Sequence, residues 1–597
     1  MFLPVTKAEM INRGWDEVDF VLVTGDSYVD HHSFGTAIIS RLLEKYGYRV
    51  AILPQPKFTD KTDFMRFGKP RLGFLINSGV VDSMVNNYSV FKHKRKTDEY
   101  SPGGKAGLRP DRALIVYSNR AREAYKDVPI IIGGLEASLR RFGHYDYWQD
   151  KVRRSVLLDS KADLLIYGMG ERSIIEIADS LNAGIDIKDI TWIKGTSYRS
   201  SSIPTEGIML PSFKEICDDK RKYAESFLIQ HENMDPIYSS ILYEKYDDKS
   251  YVVQNPMQEP LSQEELDDIY ELNYENEWHP IYDKLGGIPA FKEIKFSVVC
   301  NRGCFGDCAF CAITYHQGRQ VRNRSKESLI KEVSFLTKKK DFKGYIHDVG
   351  GPTANFKGPS CDKQLIRGVC KNRDCLFPEP CRNIKVDHKE YFDILKDISS
   401  IDKVKKVFIR SGIRYDYLLK DKNCDKYIEE LCENYVSGTL KVAPEHVSSN
   451  VLKYMRKPKK EVFMEFDKKY KKTNEKLGLK QYLIPYLISS HPGSTINDAI
   501  ELALFLKNYH FIPDQVQDFY PTPGTLSTCM YYTELDPYTM EHIYVPKTME
   551  EKKMQRALIH FNKKENRDIC IKALKLGKRE DLIPVLLSNN GFRSLKK

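Results

Sequence analysis

The sequence predicts an α/β protein: a parallel sheet with helices on both faces, then a partial (β/α)6 barrel. Three observations predict it. Short apolar runs alternate with helical stretches over residues 1–200. The same alternation returns from Ile294 to Phe519. The chain has 597 residues, too many for one compact core. Strands spaced by helices form parallel sheets covered on both faces.

In the first region Phe20–Thr24 reads as a short buried strand, and Phe34–Tyr46 has helical periodicity that ends at Gly47. Arg49–Leu53, Leu72–Asn77, Val128–Ile132 and Leu164–Tyr167 read as further strands, each followed by Gly, Pro, Ser or Asn. Ligands on such sheets bind beyond the carboxyl ends of the strands. That edge carries Gly25-Asp26-Ser27-Tyr28, Asn77-Ser78-Gly79, Gly133-Gly134-Leu135-Glu136 and Gly168-Met169-Gly170-Glu171. Residues 201–285 are polar and less periodic, and read as a connector. Within it Ser262 and Glu265 form a capping box that opens a helix.

Residues 286–535 read as the partial barrel. Its strands are Ile294–Val299, Gly344–Val349, Lys406–Arg410, Thr439–Val442, Tyr482–Leu487 and Gln515–Phe519. Its helices fall within Lys326–Leu336, Glu390–Ser399, Asp425–Tyr435, Asn450–Met455 with Glu461–Glu475, and Thr495–Leu506. Six such units make an incomplete version of the eight-stranded barrel, whose reactive residues sit at the carboxyl ends of the strands. Residues 536–597 read as a basic helical C-terminal extension.

Composition bounds the class. Hydrophobic residues make up 41% and charged residues 29%, ordinary for a globular protein. No apolar run approaches the ~18 residues that span a bilayer, and the first residues lack a signal-peptide core. A cytoplasmic location is expected. The 13 Cys lie mostly in two clusters, which in a reducing compartment implies metal rather than disulfides. Net charge is +11 and pI near 8.8. Basic runs at Lys92–Lys96, Lys338–Lys340, Arg456–Lys460 and Lys468–Lys472 contain one aromatic ring, Tyr470. A solvated Lys-rich surface is favoured over a nucleic-acid face, because the pI falls below the ~9 of that class.

The most specific pattern is Cys304, Cys308 and Cys311, in the spacing C-x3-C-x2-C. It follows the first barrel strand, where a reactive loop belongs. Gly303 and Gly306 let so short a loop turn three thiolates toward one centre. Three Cys fill three corners of a [4Fe–4S] cubane and leave the fourth iron open. Zinc is the alternative, with Cys300 as a fourth ligand, but Cys300 sits in a strand-like run and is expected to pack beside the barrel.

The pattern resembles the signature of radical SAM enzymes, including the aromatic Phe310 before the last Cys. In that superfamily the open iron binds the amino and carboxylate groups of S-adenosylmethionine, and an electron from the cluster releases a 5′-deoxyadenosyl radical. The strand ends can be read for that ligand. Gly350 and Gly351 follow the second strand and permit close backbone approach, although Pro352 stands where the superfamily commonly has an acid. Arg414 suits the methionyl carboxylate and Ser411 a ribose hydroxyl. Glu445 suits the ribose, and His446 a proton donor or substrate contact. Ser489 to Gly493, with His491, and Tyr520 to Thr525 close the ring. The catalytic residue that handles substrate is not identified. Each of these side chains has a structural alternative, as an ion-pair partner, a cap or a loop brace.

A second group, Cys361, Cys370, Cys375 and Cys381, has the spacing C-x8-C-x4-C-x5-C in an insertion over 355–388. Zinc in a four-thiolate site, an auxiliary Fe–S cluster and reduced packed cysteines are all compatible with it.

The first region is similar to the flavodoxin-like, cobalamin-binding-type domain of one radical SAM branch. Asp30, His32 and Gly35 fit the D-x-H-x-x-G pattern whose His ligates cobalt, with Ser78 and Gly133-Gly134 as partial further matches. Val80 and the insertion Phe91–Arg112 depart from it. Cobalamin is therefore an alternative behind a substrate-binding or purely structural Rossmann-like domain.

Taken together, Gly25–Gly35, Asn301–Ile313, Gly350–Asn355, Leu440–His446 and Tyr520–Thr525 resemble the YgiQ-type radical SAM proteins nearly over the full length. The resemblance implies a [4Fe–4S] cluster on Cys304, Cys308 and Cys311 and S-adenosylmethionine as cosubstrate. It implies no substrate. An electron donor such as flavodoxin or ferredoxin is expected, and no membrane partner. Two other functions compete with hydrogen abstraction. One is RNA modification of the methylthiotransferase kind, disfavoured because no Cys precedes Cys217. The other is a non-catalytic iron–sulfur redox sensor.

Overall fold

The computed structural model describes residues 1–513 and 516–588. The first sheet has nine strands. Its five parallel strands, in chain order, are Phe20–Thr24, Val50–Pro54, Gly73–Asn77, Ile130–Ile132 and Leu164–Ile166. In space the order is second, first, third, fourth, fifth. Phe20 pairs with Val50 on one side and Gly73 on the other, which fixes the register of the centre.

Alternation along these strands divides their side chains between two cores. Leu22, Ile52, Leu75 and Ile131 pack with helices Gly35–Lys45 and Glu171–Asn182 on one face. Val21, Val23, Phe74, Ile130 and Ile132 pack with helix Ala113–Ala124 on the other. Both faces are covered, so Phe20–Thr24 is buried along its whole length.

Residues 201–285, read as a connector, contribute Ile208–Met209, Leu242–Asp247 and Ser250–Gln254 to the same sheet, beyond Thr196–Ser200. The sequence hid them because they lie toward the sheet's outer edge. Ile208 and Met209 are exposed, and Leu242–Asp247 alternates buried with half-buried positions. The capping box forms, with Ser262 and Glu265 opening helix Gln263–Tyr270.

In the second region Ser297–Val299 pairs in parallel with Asp348–Gly350, and Tyr345–Ile346 with Lys406–Val407. Thr439–Glu445 pairs with Tyr482–Ser489, and that strand with Gln517–Asp518. The first strand begins later than Ile294 because Pro289, a favourable first helical residue, opens helix Pro289–Ile294. Helix Lys326–Leu336 has the expected bounds. The stretch Asp425–Tyr435 divides into Cys424–Glu430 and a π turn, Leu431–Tyr435. Gln515, where the sixth strand was expected to start, lies outside the described residues. Val298, Val349, Val407, Leu440 and Leu483 form the core with helices Lys389–Ser399 and Lys460–Leu477.

Helices Met549–Ile559, Arg567–Leu576 and Ile583–Leu587 bury Leu558, Leu574 and Leu586 with Ala503 and Leu506 of helix Ile496–Asn508. Residues 589–597 of the basic extension lie outside the described residues. Among the described residues no helix is long and apolar enough to cross a membrane.

Candidate functional site

The cysteine loop leaves the carboxyl end of Ser297–Val299. Asn301–Arg302 pairs antiparallel with Arg322–Asn323, closing a loop that contains helix Ala312–Gln317. Gly303 has φ +79°, and a Cβ there would overlap the Gln320 carbonyl. No other residue fits without moving the backbone.

The three thiols are half-buried, and Cys308 and Cys311 line one small pocket. The Gly306 N–H donates to Cys304 Sγ at 3.4 Å, and Thr353 Oγ1 lies 3.6 Å from the same sulfur. Arg414 Nη1 donates to Cys308 Sγ at 3.5 Å. Burial, then the neighbouring charges of Cys308 and Cys304, push the Cys311 thiol up to about 12, against the backbone N–H groups of Ile313 and Thr314. Burial and Cys308 likewise raise Cys304. Among the described residues no three His, Cys, Asp or Glu side chains converge as ligands of one metal ion. Cys300 is not part of the loop. It is fully buried in the barrel core, and its N–H donates to the Gly350 carbonyl at 2.6 Å.

Asp307, inside the loop, anchors it. Its Oδ2 accepts from Arg319 at 3.2 Å and Arg456 at 3.5 Å, and His231 Nε2 lies 3.6 Å away. Burial opposes its charge, but Arg319, His231 and Arg456 hold the carboxyl well below the usual range. Arg456 also pairs with Asp374 at 3.2 Å, beside Cys375.

The residues expected to contact S-adenosylmethionine sort into two groups. Gly350, Gly351, Phe310 and Glu445 form the first group. A Cβ on Gly351 would overlap Asn301, and one on Gly350 would overlap Ser411. Phe310 is half-buried, its ring 6.2 Å edge-on from His491. Glu445 has φ +67° and lies 3.9 Å from Lys457 Nζ. Burial raises its carboxyl, against Lys457 and Arg414.

Arg414, Ser411 and His491 are committed elsewhere. The Arg414 fork, expected for a ligand carboxylate, binds Asp416 through Nε at 2.8 Å and Nη2 at 2.7 Å, leaving Nη1 for Cys308. The Ser411 hydroxyl donates to Asp348, whose Oδ1 also accepts from the Arg410 and Ser411 N–H groups at 2.7 and 3.0 Å. His491 is fully enclosed between the Pro492 carbonyl and Ser527 Oγ, at 2.7 and 2.6 Å. Burial lowers it to about 3. His446 accepts from the Ser448 N–H at 3.1 Å, and burial lowers it to about 4, so both rings are neutral near pH 7.

One residue escaped the sequence reading. Asn301 is 1% exposed, yet neither end of its amide has a partner. It stands beside Gly351, three positions before Cys304. A buried amide without partners costs free energy unless a ligand supplies them. Its only sequence signal was membership in the Asn301–Ile313 run.

Two clefts lie where the first domain's strand ends meet the barrel. One is lined by Gly35, Asn77, Gly133, Gly168, Met169 and His316. The other shares Gly168 and Met169 and adds Arg302, Arg319 and Gln320. His316, five residues after Cys311, reaches across to Ser138 Oγ at 2.9 Å. Arg302 pairs with Glu171 across the same junction. His32, considered for cobalt, is 3% exposed and has Nε2 2.8 Å from Glu332 Oε1 of the barrel helix. Glu332 also binds Arg324. His32 thus braces the junction.

In the insertion Cys375 lies close enough to Cys361 and Cys370 for their charges to interact. The Cys381 N–H donates to the Cys375 carbonyl at 2.9 Å.

Residues 2–297 match the radical SAM N-terminal family, residues 298–506 the radical SAM superfamily, and residues 514–586 a domain of unknown function. A UPF0313 protein of Clostridium perfringens strain SM101 is 57% identical, covering 98% of this chain and 88% of its own length. One of Clostridium botulinum strain ATCC 19397 is 55% identical, covering 98% and 90%. Among solved structures, the radical S-adenosylmethionine methyltransferase TsrM of Kitasatospora setae aligns with TM-score 0.47 and 11% identity, over 86% of this chain and 76% of that one. The cobalamin-dependent S-adenosylmethionine radical enzyme OxsB aligns with TM-score 0.48 and 12% identity, over 96% and 77%. Likeness at that level says nothing of ligand or substrate.

Proposed function

The chain belongs to the UPF0313 family and is a radical SAM enzyme, and from that premise we propose that Cys304, Cys308 and Cys311 hold a [4Fe–4S] cluster whose open iron binds S-adenosylmethionine. When bound, the pair supplies a 5′-deoxyadenosyl radical that abstracts hydrogen from an unreactive carbon. The observation that carries the reading is the loop of three half-buried cysteines that follows strand Ser297–Val299, with Arg414 Nη1 on Cys308 Sγ.

The chain's own residues do the rest. Gly303 and Gly306 let the loop close, and Asp307 fixes it to Arg319 and Arg456. Arg414 places a positive charge beside Cys308 while Asp416 holds its fork in plane. Asn301, with its idle amide beside Gly351, is proposed to contact the amino acid end of the cosubstrate. Glu445 and Phe310 are proposed to face its ribose and adenine. Cys308 and Cys311 line a small pocket with Asp307, Arg319 and Arg456, and substrate is proposed to approach from that side. Enclosure there keeps water from a reactive radical. Cobalamin stays the lesser alternative for the first domain: His32 Nε2 lies against Glu332, while its Nδ1 is buried without a partner.

The test is anaerobic reconstitution with iron, sulfide, reductant and S-adenosylmethionine. The proposal expects 5′-deoxyadenosine from the wild type and none above background from Cys304→Ala. Equal amounts from both would overturn it.

A further inference from the structure

After helix Ala312–Gln317 the cysteine loop returns to strand Arg322–Asn323, which pairs antiparallel with Asn301–Arg302. In that register Arg302 stands directly opposite Arg322. Residues so opposed share one face of the pair, with Cβ atoms about 5 Å apart, and like charges there repel. Both arginines line the cleft between the first domain and the barrel, with Arg172 and Gln320.

Their protein partners use only part of this charge. Arg302 is 8% exposed. Its Nη1 donates to Glu171 and its Nε to the Tyr270 hydroxyl at 3.2 Å, while Nη2 has no partner. Gln320 is 6% exposed. Its Oε1 accepts from Arg322 Nη2 at 3.3 Å, while Nε2 has no partner. Arg322 Nε also has none. Burial and the neighbouring charge of Arg172 both oppose the Arg322 cation. The acids of the cleft are engaged elsewhere. Glu171 takes Arg302, Asp235 takes the Val369 and Ile237 N–H groups at 2.8 Å, and Glu259 takes Lys194 at 2.9 Å. Buried donors without acceptors cost free energy that a bound anion would recover.

The chemistry of these donors selects the anion. Two guanidinium groups and an amide offer three unused N–H sites on one cleft lining. A phosphate group carries up to two charges and three strong acceptor oxygens, and guanidinium is the side chain best matched to it. Much of the remaining lining is apolar, with Met169, Met234, Met257 and Leu261. Arg319, next to Gln320, lines both this cleft and the small pocket of Cys308 and Cys311.

We propose that Arg302, Gln320 and Arg322 form a phosphate subsite, which holds a small phosphate ester by its phosphate group while the apolar lining takes its carbon frame. The shared Arg319 makes that ester the substrate of the reaction proposed above. The substrate role rests on that reading of Cys304, Cys308 and Cys311; the subsite does not.

Thermal unfolding of the full-length protein tests the subsite, with inorganic phosphate as the probe and chloride at equal ionic strength as the reference. Phosphate is expected to stabilise the wild type beyond chloride. R322M removes a cation opposed by another, so it is expected to unfold no lower than wild type in chloride, yet to lose at least about tenfold in phosphate affinity. Q320L changes no charge and is expected to lose about threefold, which decides the matter should R322M not fold. R579M, at an exposed cation elsewhere, is expected to match wild type. No stabilisation beyond chloride, or equal affinity in wild type and Q320L, overturns the subsite. Acetate as effective as phosphate overturns the assignment to phosphate. C304A/C308A/C311A is expected to keep the phosphate affinity, which separates the subsite from the cluster. For the substrate role, 5′-deoxyadenosine from the reconstituted enzyme is measured with small molecules of a cell extract, before and after alkaline phosphatase, with inorganic phosphate equalised. The untreated extract is expected to raise the yield and the treated one not to. A rise that survives treatment, or no rise, overturns the substrate role and leaves the subsite standing. No 5′-deoxyadenosine under any condition is instead the failure of the radical reading.

Discussion

Replacing Arg414 and Asp416 together, as R414M/D416L, removes the charge beside Cys308 without leaving a lone buried ion. The single variant R414M would strand Asp416, at a cost of ~3–5 kcal/mol, and would report misfolding. The N–H···S separation is 3.5 Å. A full unit charge at that distance interacts by about 5 kcal/mol at an effective dielectric of ~20. The electron added on reduction spreads over the whole cubane, and Asp416 offsets part of the cation. Roughly a quarter of the interaction survives, about 1 kcal/mol, which is ~50 mV for one electron. Losing a cation makes reduction harder, so the potential moves negative. Electron paramagnetic resonance during a redox titration of C375A/C381A and of the same protein carrying R414M/D416L reads this directly. An unchanged potential, or a positive shift, would refute the placement of Arg414 beside the cluster.

Three further outcomes follow from the same geometry. Asn301→Ala removes a buried amide that has no protein partner, so the fold should keep its stability while affinity for S-adenosylmethionine falls about tenfold, the worth of ~1–1.5 kcal/mol; isothermal titration of the reconstituted protein checks it, and unchanged affinity would remove Asn301 from the site. Ser411→Ala should leave that affinity within about twofold, since the hydroxyl already serves Asp348, and a tenfold loss would restore the ribose role. Glu332→Gln tests the junction by pH. Burial opposes the Glu332 charge, but His32 and Arg324 hold its carboxyl down to about 2, from 4.5. The folded value is depressed, so this stability is present above about 4.5 and lost as pH falls through about 2. The variant should cost ~3 kcal/mol at neutral pH and little near pH 2, read by hydrogen exchange over Lys326–Leu336. An equal loss at both pH values would count against the ion pair.

What the sequence made legible was local. Cys304, Cys308 and Cys311 fall within eight residues, and the strands Phe20–Thr24 and Gly73–Asn77 are continuous apolar runs, so neither depends on distant partners. Helix Lys326–Leu336 carries its own cap, Ser325. The side chains whose partners the sequence did not show are those fixed by the tertiary fold. His32 meets Glu332 three hundred positions away, and Ser411 meets Asp348 on another strand. Arg414 is the instructive exception. Asp416 is only two residues on, but an Arg fork serves a ligand or a neighbour equally well, and the backbone path alone decides. The strands Leu242–Asp247 and Ser250–Gln254 were hidden for a different reason: the buried Glu244 interrupts the first, and the apolar part of the second is only Tyr251 to Val253.

The central claim is a cluster held by three cysteines with one iron left for the cosubstrate. Electron–nuclear resonance on reduced C375A/C381A, mixed with S-adenosylmethionine carrying 17O in its carboxylate and 15N in its amino group, tests it most directly. Hyperfine coupling from both labels is the predicted result. A spectrum that the cosubstrate leaves unchanged, with no coupling from either label, would contradict the account.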